Sequence, residues 1–541
     1  MEAKTLRDYE RMSPFEIKDE LIRLAKAAGR RGAFAFLNAG RGNPNWVATT
    51  PREAFFLLGQ FALSESRRVM DLAPGIGGMP QPAGIAARFG TWLDAQPATP
   101  GTAWLRAMLS HVTDGLGFRP DDVIHELADA VIGDSYPAPG RMLTHVEAII
   151  RAYLHRVLCG GQPIEGAFDL LATEGATAGM SYLLRSLKAN RLLLPGDSVA
   201  IGCPIFSPYL ELAALEDFGL RSVHIEARPE DRFQFTDAAL ARLEDPRVKA
   251  FFLVNPGNPT AVALDDRSIE RIAAIIRGPR PDLILVTDDV YASFVDGFRS
   301  LLGEVPRNTI GVYSFSKFFG ATGWRLGVIA LHRDTILDAM LAAQPDAVKR
   351  ALDARYAALT PHPSGLRMID RMLADSRDVA MNHTAGLSTP QQAMMALFAL
   401  VELMDRDECY RDACRAILRR RSDAMLRELG ITGEANPLGD DYYGLVDVEY
   451  WIRTHLGEEV AAWMKRHVHP LDIVFRLAEE HGIVLLPGGG FHAPEWSARV
   501  SFANLSDDTY GAIGRAVRAI AETYLRAYRA SPDATRPPKT T

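Results

Sequence analysis

Val312–Gly327 reads VYSFSKFFGATGWRLG, and the fold is decided here. A β-branched, aromatic run ends at Ser314, and a polar, glycine-bearing loop then presents Lys317, with Arg325 following further on. A lysine at a strand end among Phe315, Phe318 and Phe319 sits where burial favours the neutral amine. That is the form that attacks a carbonyl. Arg325 and the Ser314 hydroxyl suit a phosphate dianion, because guanidinium gives charge-assisted hydrogen bonds.

Outward from this stretch, short apolar runs alternate with helical patterns. Strands are expected over Ser198–Gly202, Ser222–Glu226, Ala250–Val254, Leu283–Thr287, Thr309–Ser314 and Leu326–Leu331. Between them, Arg267–Arg277 places Ile269, Ile272, Ala273 and Ile276 on one helical face. Such alternation predicts an α/β fold with a mostly parallel sheet covered on both faces. From Thr389 the pattern changes. Helices over Gln391–Leu403 and Asp412–Leu429 precede short strands near Gly444–Val448 and Ala498–Phe502, and a closing helix runs over Asp508–Arg529. This predicts a smaller α+β domain.

The division expected is an arm and substrate-closing loop over 1–50, and a helical insertion over 51–133. A large domain over 134–388 follows, containing a second helical insertion at 333–383, then the small domain over 389–530 and a disordered tail over 531–541. The glycine-rich Ala73–Pro82 is expected to be a loop.

A chain of 541 residues is too long for one simple core. Its net charge of −7 and pI near 6.0 offer no basic footprint for nucleic acid. The four cysteines form no CxxC pair, which suits a reducing compartment and incidental thiols. The first thirty or so residues are mixed-charge, unlike a signal peptide or a basic helix-turn-helix, and no apolar run is long enough to span a bilayer. A soluble, cytoplasmic protein is expected. No metal is expected: His467 and His469 are two apart and do not share a helix face. No GxSxG elbow supports a hydrolase.

The lysine segment resembles the cofactor region of fold-type I pyridoxal 5'-phosphate (PLP) enzymes, the aspartate aminotransferase superfamily. Three further motifs follow in that family's order: ATEGATAGM (Ala172–Met180), NPGNPT (Asn255–Thr260) and TDDVY (Thr287–Tyr291). Taken alone, small residues at a helix start, turn chemistry and a helix cap would explain them. The resemblance implies a seven-stranded sheet and a Schiff base between Lys317 and PLP. It gives Gly175, Ala176, Thr177, Ser314 and Arg325 to the phosphate, Asp288 to the pyridinium nitrogen, and Asn258 and Tyr291 to the phenolic oxygen. Asp289 is expected to be structural, and Ala261 departs from the family's usual glycine.

Weaker matches extend this. CPIFSPY nominates Phe206 to stack on the cofactor, and DSYPAPG nominates Tyr136 to reach the phosphate across a dimer interface. WSARVSFAN nominates Arg499 for the substrate α-carboxylate. NAGRGNPNW (Asn38–Trp46) resembles a loop closing over substrate, with Gly42 near the α-carboxylate and Asn258 also touching substrate.

Chain length, NAGRGNPNW, both insertions and AGLSTPQQAMMALFAL (Ala385–Leu400) resemble the aspartate β-decarboxylase subgroup. That implies conversion of L-aspartate to L-alanine and CO2 beside aspartate aminotransferase activity, with 2-oxo acids as further ligands. It also implies an assembly of at least two chains, extending to a dodecamer. Arg41 is then expected to meet the distal carboxylate. The alternative is a plain aminotransferase of dicarboxylic or aromatic amino acids.

Overall fold

The computed structural model describes residues 6–535 except 11, 32–34, 163, 165, 215–217, 378–385 and 433–435. Its centre is a seven-stranded sheet of β1 (Phe168–Thr173), β2 (Ser198–Cys203), β3 (Arg221–Glu226), β4 (Val248–Val254), β5 (Ile284–Asp288), β6 (Thr309–Ser314) and β7 (Gly327–His332). The spatial order is β1-β7-β6-β5-β4-β2-β3. Only β7 runs antiparallel to its neighbours, pairing Gly327 with both Thr173 and Ser314. All six expected strands are present, shifted at their ends by at most two residues. Strand β1 is the addition, a run of FDLLAT with few β-branched residues.

Apolar burial on both faces makes the sheet rigid. β1, β6 and β7 are buried along their whole length, whereas edge strand β3 is largely exposed and ends in polar residues. The helix Asp266–Arg277 covers one face through Ile269, Ile272, Ala273 and Ile276, all buried. Each isoleucine stabilises by roughly 1.5–3 kcal/mol. The helix starts because the Asp265 carboxylate accepts from the Ser268 N–H at 2.8 Å.

The C-terminal unit has a three-stranded sheet of β8 (Tyr443–Asp447), β9 (Leu486–Pro487) and β10 (Ser497–Ser501), with helices that include Cys409–Glu428 and Tyr510–Ala530. The N-terminal arm joins it. Helix Pro14–Arg31 packs on helix Asp472–His481, and Leu37–Asn38 pairs in parallel with Ile483–Val484. Within the tail expected over 531–541, residues Pro532–Thr535 form a tight turn, with an Asp533 oxygen 3.0 Å from His467 Nε2. Residues 536–541 lie outside those described.

Both insertions are helical. Thr49–Val69, Ile85–Asp94, Pro100–Ser110 and Pro120–Ile132 build the first. Ala73–Pro82 is not a plain loop: Ile76–Gly77 pairs with Asp71–Leu72 in an exposed hairpin, too short to show alternation. The second insertion, Ile336–Ala342, Asp346–Tyr356 and Met368–Ser376, braces helix Ala176–Ala189. Its fully buried Asp375 accepts from Ser186 Oγ at 2.6 Å, Asn190 Nδ2 at 3.0 Å and Tyr356 OH at 2.9 Å. His383, the end expected for this insertion, lies outside the described residues.

Ala261 occupies a backbone position that favours glycine. Its φ is +57°, a left-handed conformation in which Cβ meets the carbonyl, and the residue is buried. Relief of that strain outweighs the extra freedom glycine brings to the unfolded chain. Ala261→Gly should therefore raise stability by up to about 1 kcal/mol in urea unfolding; a loss of similar size would contradict the strain argument.

Candidate active site

The parallel strands end on one edge, and the loops leaving that edge converge on a cavity of about 330 Å³. Crevices outside the carboxyl ends of such strands are where α/β sheets bind ligands. From β1 the chain turns at Gly175 into helix Ala176–Ala189. From β2 come Phe206 and Tyr209, from β4 Asn258, from β5 Asp288 and Tyr291, and from β6 Ser314 and Lys317. Arg325 lies just before β7, and Arg499 on β10 closes the cavity from the C-terminal unit. Gly42 and Asn43 of the arm supply a further wall.

Lys317 Nζ donates to the Gly42 carbonyl at 3.0 Å. The neighbouring phenylalanines do not enclose the amine. They anchor its loop in the core instead: Phe315 stacks on Tyr153 at 5.4 Å, Phe319 on Phe398 at 4.9 Å, and Phe318 meets Tyr410 edge-on at 5.1 Å. The loop carbonyls are also held from outside. Trp46 Nε1 and Tyr410 OH donate to Phe318 O at 3.1 and 2.9 Å, and Arg52 donates to Phe319 O and Gly320 O at 3.1 and 2.7 Å.

Asp288 is buried, accepting from Tyr209 OH at 2.5 Å and from the Val290 N–H at 3.2 Å. Burial pushes its carboxyl up to about 6, against the pull of those donors and of Lys317. Asp289 points elsewhere and is structural: Ser300 Oγ and Thr287 Oγ1 each donate to it at 2.5 Å. Asn258 Nδ2 lies 3.4 Å from Tyr291 OH, which donates to Tyr443 OH at 3.2 Å. Burial raises the Tyr443 phenol, but Lys317, Arg499 and the hydrogen bond from Tyr291 together outweigh it and leave it below its ordinary value.

Arg499 is only 1% exposed and has no ion-pair partner among the described residues. It donates to Asn258 Oδ1 and Gly40 O, each at 3.0 Å, while its Nε is buried without a hydrogen bond. The rings of Tyr443, Phe491 and Phe15 surround the guanidinium at 4.3, 4.9 and 5.6 Å. A buried cation without a counter-ion is costly, and a planar carboxylate supplies what is missing.

A second anion site faces it. Helix Ala176–Ala189 has no side-chain cap, so its first N–H groups open towards the cavity. Gly175 has φ +95°, and a Cβ there would stand 2.5 Å from Arg325 Nη2. Among the described residues Arg325 donates to the carbonyls of Thr322 and Glu174 alone, at 3.2 and 3.1 Å. Ser314 Oγ donates to Ser316 Oγ at 3.0 Å.

Two expected residues stand apart. Tyr136 is 70% exposed and away from this cavity, and Arg41 is exposed and does not line it. Tyr209, Ser316, Tyr443 and Phe15 line the cavity without a sequence signal of their own. Tyr209 was within reach, since it closes the same CPIFSPY segment as Phe206. Tyr442 also contributes, donating to Gly42 O at 2.8 Å.

The profile of a family described as aminotransferase class I and II matches residues 138–517. A bifunctional aspartate aminotransferase and L-aspartate beta-decarboxylase of a Pseudomonas species is 47% identical over 98% of this chain and 99% of its own. An aspartate aminotransferase of Musicola paradisiaca is 31% identical across 29% of this chain and 39% of its own. Among solved structures, a double mutant of Thermus thermophilus aspartate aminotransferase superposes with a TM-score of 0.56 at 18% identity, covering 97% of this chain and 99% of its own. The Escherichia coli methionine aminotransferase YbdL gives 0.57 at 18% identity, covering 94% and 98%. These two likenesses speak for the fold alone.

The raised Asp288 carboxyl has a consequence for stability. Between about pH 4 and 6 the folded, ligand-free chain keeps a proton that the unfolded chain has released, so this group's contribution falls as pH rises. Asp288→Asn removes that term. Its stability relative to the parent should improve by about 2–3 kcal/mol from pH 4 to pH 8 in denaturant titrations; parallel pH curves would contradict the burial argument.

Proposed function

The chain belongs to the class I and II aminotransferases, and from that premise we propose that it removes the β-carboxylate of L-aspartate, giving L-alanine and CO2, with aspartate aminotransferase activity beside it. The observation that carries this is the 47% likeness to a bifunctional enzyme of that name, which runs through the arm and both insertions. PLP is the proposed cofactor, and the cavity fits it. Gly175, Ala176, Thr177, Ser314 and Arg325 make an anion cradle, Asp288 a buried carboxylate for a ring nitrogen, and Asn258 with Tyr291 a pair for a phenolic oxygen. Phe206 offers a flat face, and Lys317 the amine.

When bound, PLP supplies a conjugated ring that accepts the electron pair left on the amine-bearing carbon. The chain's own groups do the rest. Arg499 binds the α-carboxylate bidentately and so fixes which bond at Cα faces Lys317. The Lys317 amine takes the Cα proton as general base. Asp288, held by Tyr209, would pair its carboxylate with the ring nitrogen and so favour the protonated ring. Phe15, Phe206 and Tyr443 exclude water. The overall change consumes one proton: CO2 leaves the distal carboxylate and Cβ gains hydrogen.

The cavity lining contains no second buried guanidinium beside Arg499. A distal carboxylate without a tight ion pair is not stabilised in the ground state, which favours loss of CO2. Arg41, one residue before Gly42, is the group proposed to meet that carboxylate. A dimer is the minimum assembly proposed, and exposed Tyr136 is then available to a neighbouring site. The exposed apolar side chains of the hairpin, Leu72 and Ile76, offer surface for larger assembly. Among the described residues no helix is long and apolar enough to cross a membrane.

Incubation of the PLP-loaded protein with L-aspartate alone separates the two activities. Alanine and CO2 should accumulate over many turnovers; a single turnover to oxaloacetate without CO2 would leave a plain aminotransferase. Lys317→Ala should lower turnover by about a thousandfold or more. Arg499→Lys should lower kcat/KM for aspartate about 10- to 100-fold, because lysine cannot make the bidentate pair. Arg41→Ala should change the ratio of decarboxylation to transamination; unchanged kinetics for both would mean that Arg41 does not meet the distal carboxylate.

A further inference from the structure

Away from the catalytic cavity, three side chains with metal-binding chemistry meet where the large sheet touches the C-terminal unit. Cys203 ends β2, and His224 lies on the neighbouring strand β3. His224 is opposite Ile201 in the parallel register, so it and Cys203 project from the same face. His492 arrives from far along the chain, just past the turn Gly489–Phe491. Potential donor atoms of all three lie within 4.8 Å of one another. The imidazoles of His224 and His492 touch, with ring centroids 4.2 Å apart.

The three groups are not otherwise employed. Neither the thiol nor either ring makes a side-chain hydrogen bond to another described residue, and Cys203 forms no disulfide. His492 has φ +60°, a left-handed conformation that costs a non-glycine residue free energy and is often retained at functional sites. The turn and strand are already joined by the Ile205 N–H donating to the Phe491 carbonyl at 2.9 Å. Cys203 is buried while His492 is exposed, so one side is open to an arriving ion.

We propose that Cys203, His224 and His492 form a site for a divalent transition metal, with zinc the best match, that staples the turn at 489–492 to the edge of the large sheet. One thiolate and two imidazoles are a donor set zinc favours, and a fourth position is left for water or Glu226. Glu226 is opposite Cys203 in the register and is half-exposed, bonded to Arg228 at 3.1 Å. Tetrahedral zinc holds such donors about 3.5 Å apart, a separation that small side-chain rotations reach from donors already within 4.8 Å of one another. Burial pushes the Cys203 thiol up to about 12, so it is protonated before the metal arrives. Binding exchanges that proton for a metal–sulfur bond and releases one H⁺ per ion. The staple also fixes Phe491, which packs against Arg499 at 4.9 Å. None of the three donors lines the cavity of the activity proposed above.

Cobalt(II) titration of the PLP-loaded protein tests it, because a cobalt–thiolate bond absorbs in the near ultraviolet and tetrahedral cobalt in the visible. One equivalent per chain should develop both bands, and zinc should bleach them. Cys203→Ser should abolish the thiolate band, while Cys409→Ser, at an exposed thiol, should keep it. His224→Asn and His492→Asn should each weaken binding by about a hundredfold, at or beyond the upper end of the loss for a mere supporting residue. His492→Asn suits a left-handed position on the surface and covers the case in which Cys203→Ser does not fold. Absence of a thiolate band, its survival in Cys203→Ser, or unchanged affinity in both histidine variants would overturn the site.

Discussion

A loop that presents a reactive amine at the edge of a sheet exposes backbone carbonyls that must find donors elsewhere. Around Lys317 those donors come from distant parts of the chain: Trp46 and Arg52 from the arm and first insertion, and Tyr410 from the C-terminal unit. Three aromatic rings of the loop point backwards into the core and prevent its rotation. The site therefore depends on the arm, the insertion and both units being assembled together. A sheet alone could not hold the amine against Gly42.

The electrostatics follow from the same assembly. Arg499, Arg325 and Lys317 line one cavity with Asp288 as the opposing carboxylate. Arg499 has been taken almost wholly out of water without a counter-ion among the described residues, which makes the cavity receptive to an anion. Aromatic faces around it lower that cost by cation–π attraction and keep the guanidinium plane oriented. Asp288 is kept beside Tyr209, whose hydroxyl favours the ionised form that burial disfavours. The described part of the second insertion braces the helix that begins at Ala176.

Much of this was legible in the sequence because strand ends and motifs coincide. Lys317, Asp288, Asn258 and Tyr291 each stand just beyond an apolar run, and order along the chain suffices to bring them together. Strand β1 was harder, since FDLLAT lacks a β-branched pattern, as was the hairpin of two-residue strands at Asp71–Gly77. Tyr443 and Phe15 could not be found by spacing, because they reach the cavity only through packing of the C-terminal unit and the arm. The grouping of Cys203, His224 and His492 is invisible for the same reason. Arg41 and Tyr136 face solvent in a single chain, and their expected roles involve loop closure and a neighbouring chain, respectively.

The cavity around Lys317 is the place proposed for cofactor and substrate to meet. Borohydride reduction of the PLP-loaded protein, followed by peptide mass mapping, tests this directly. One reduced cofactor adduct is expected, on Lys317, and its formation should be blocked when Asp288 and Arg325 are both replaced. An adduct on another lysine of the native protein, or none at all, would contradict it.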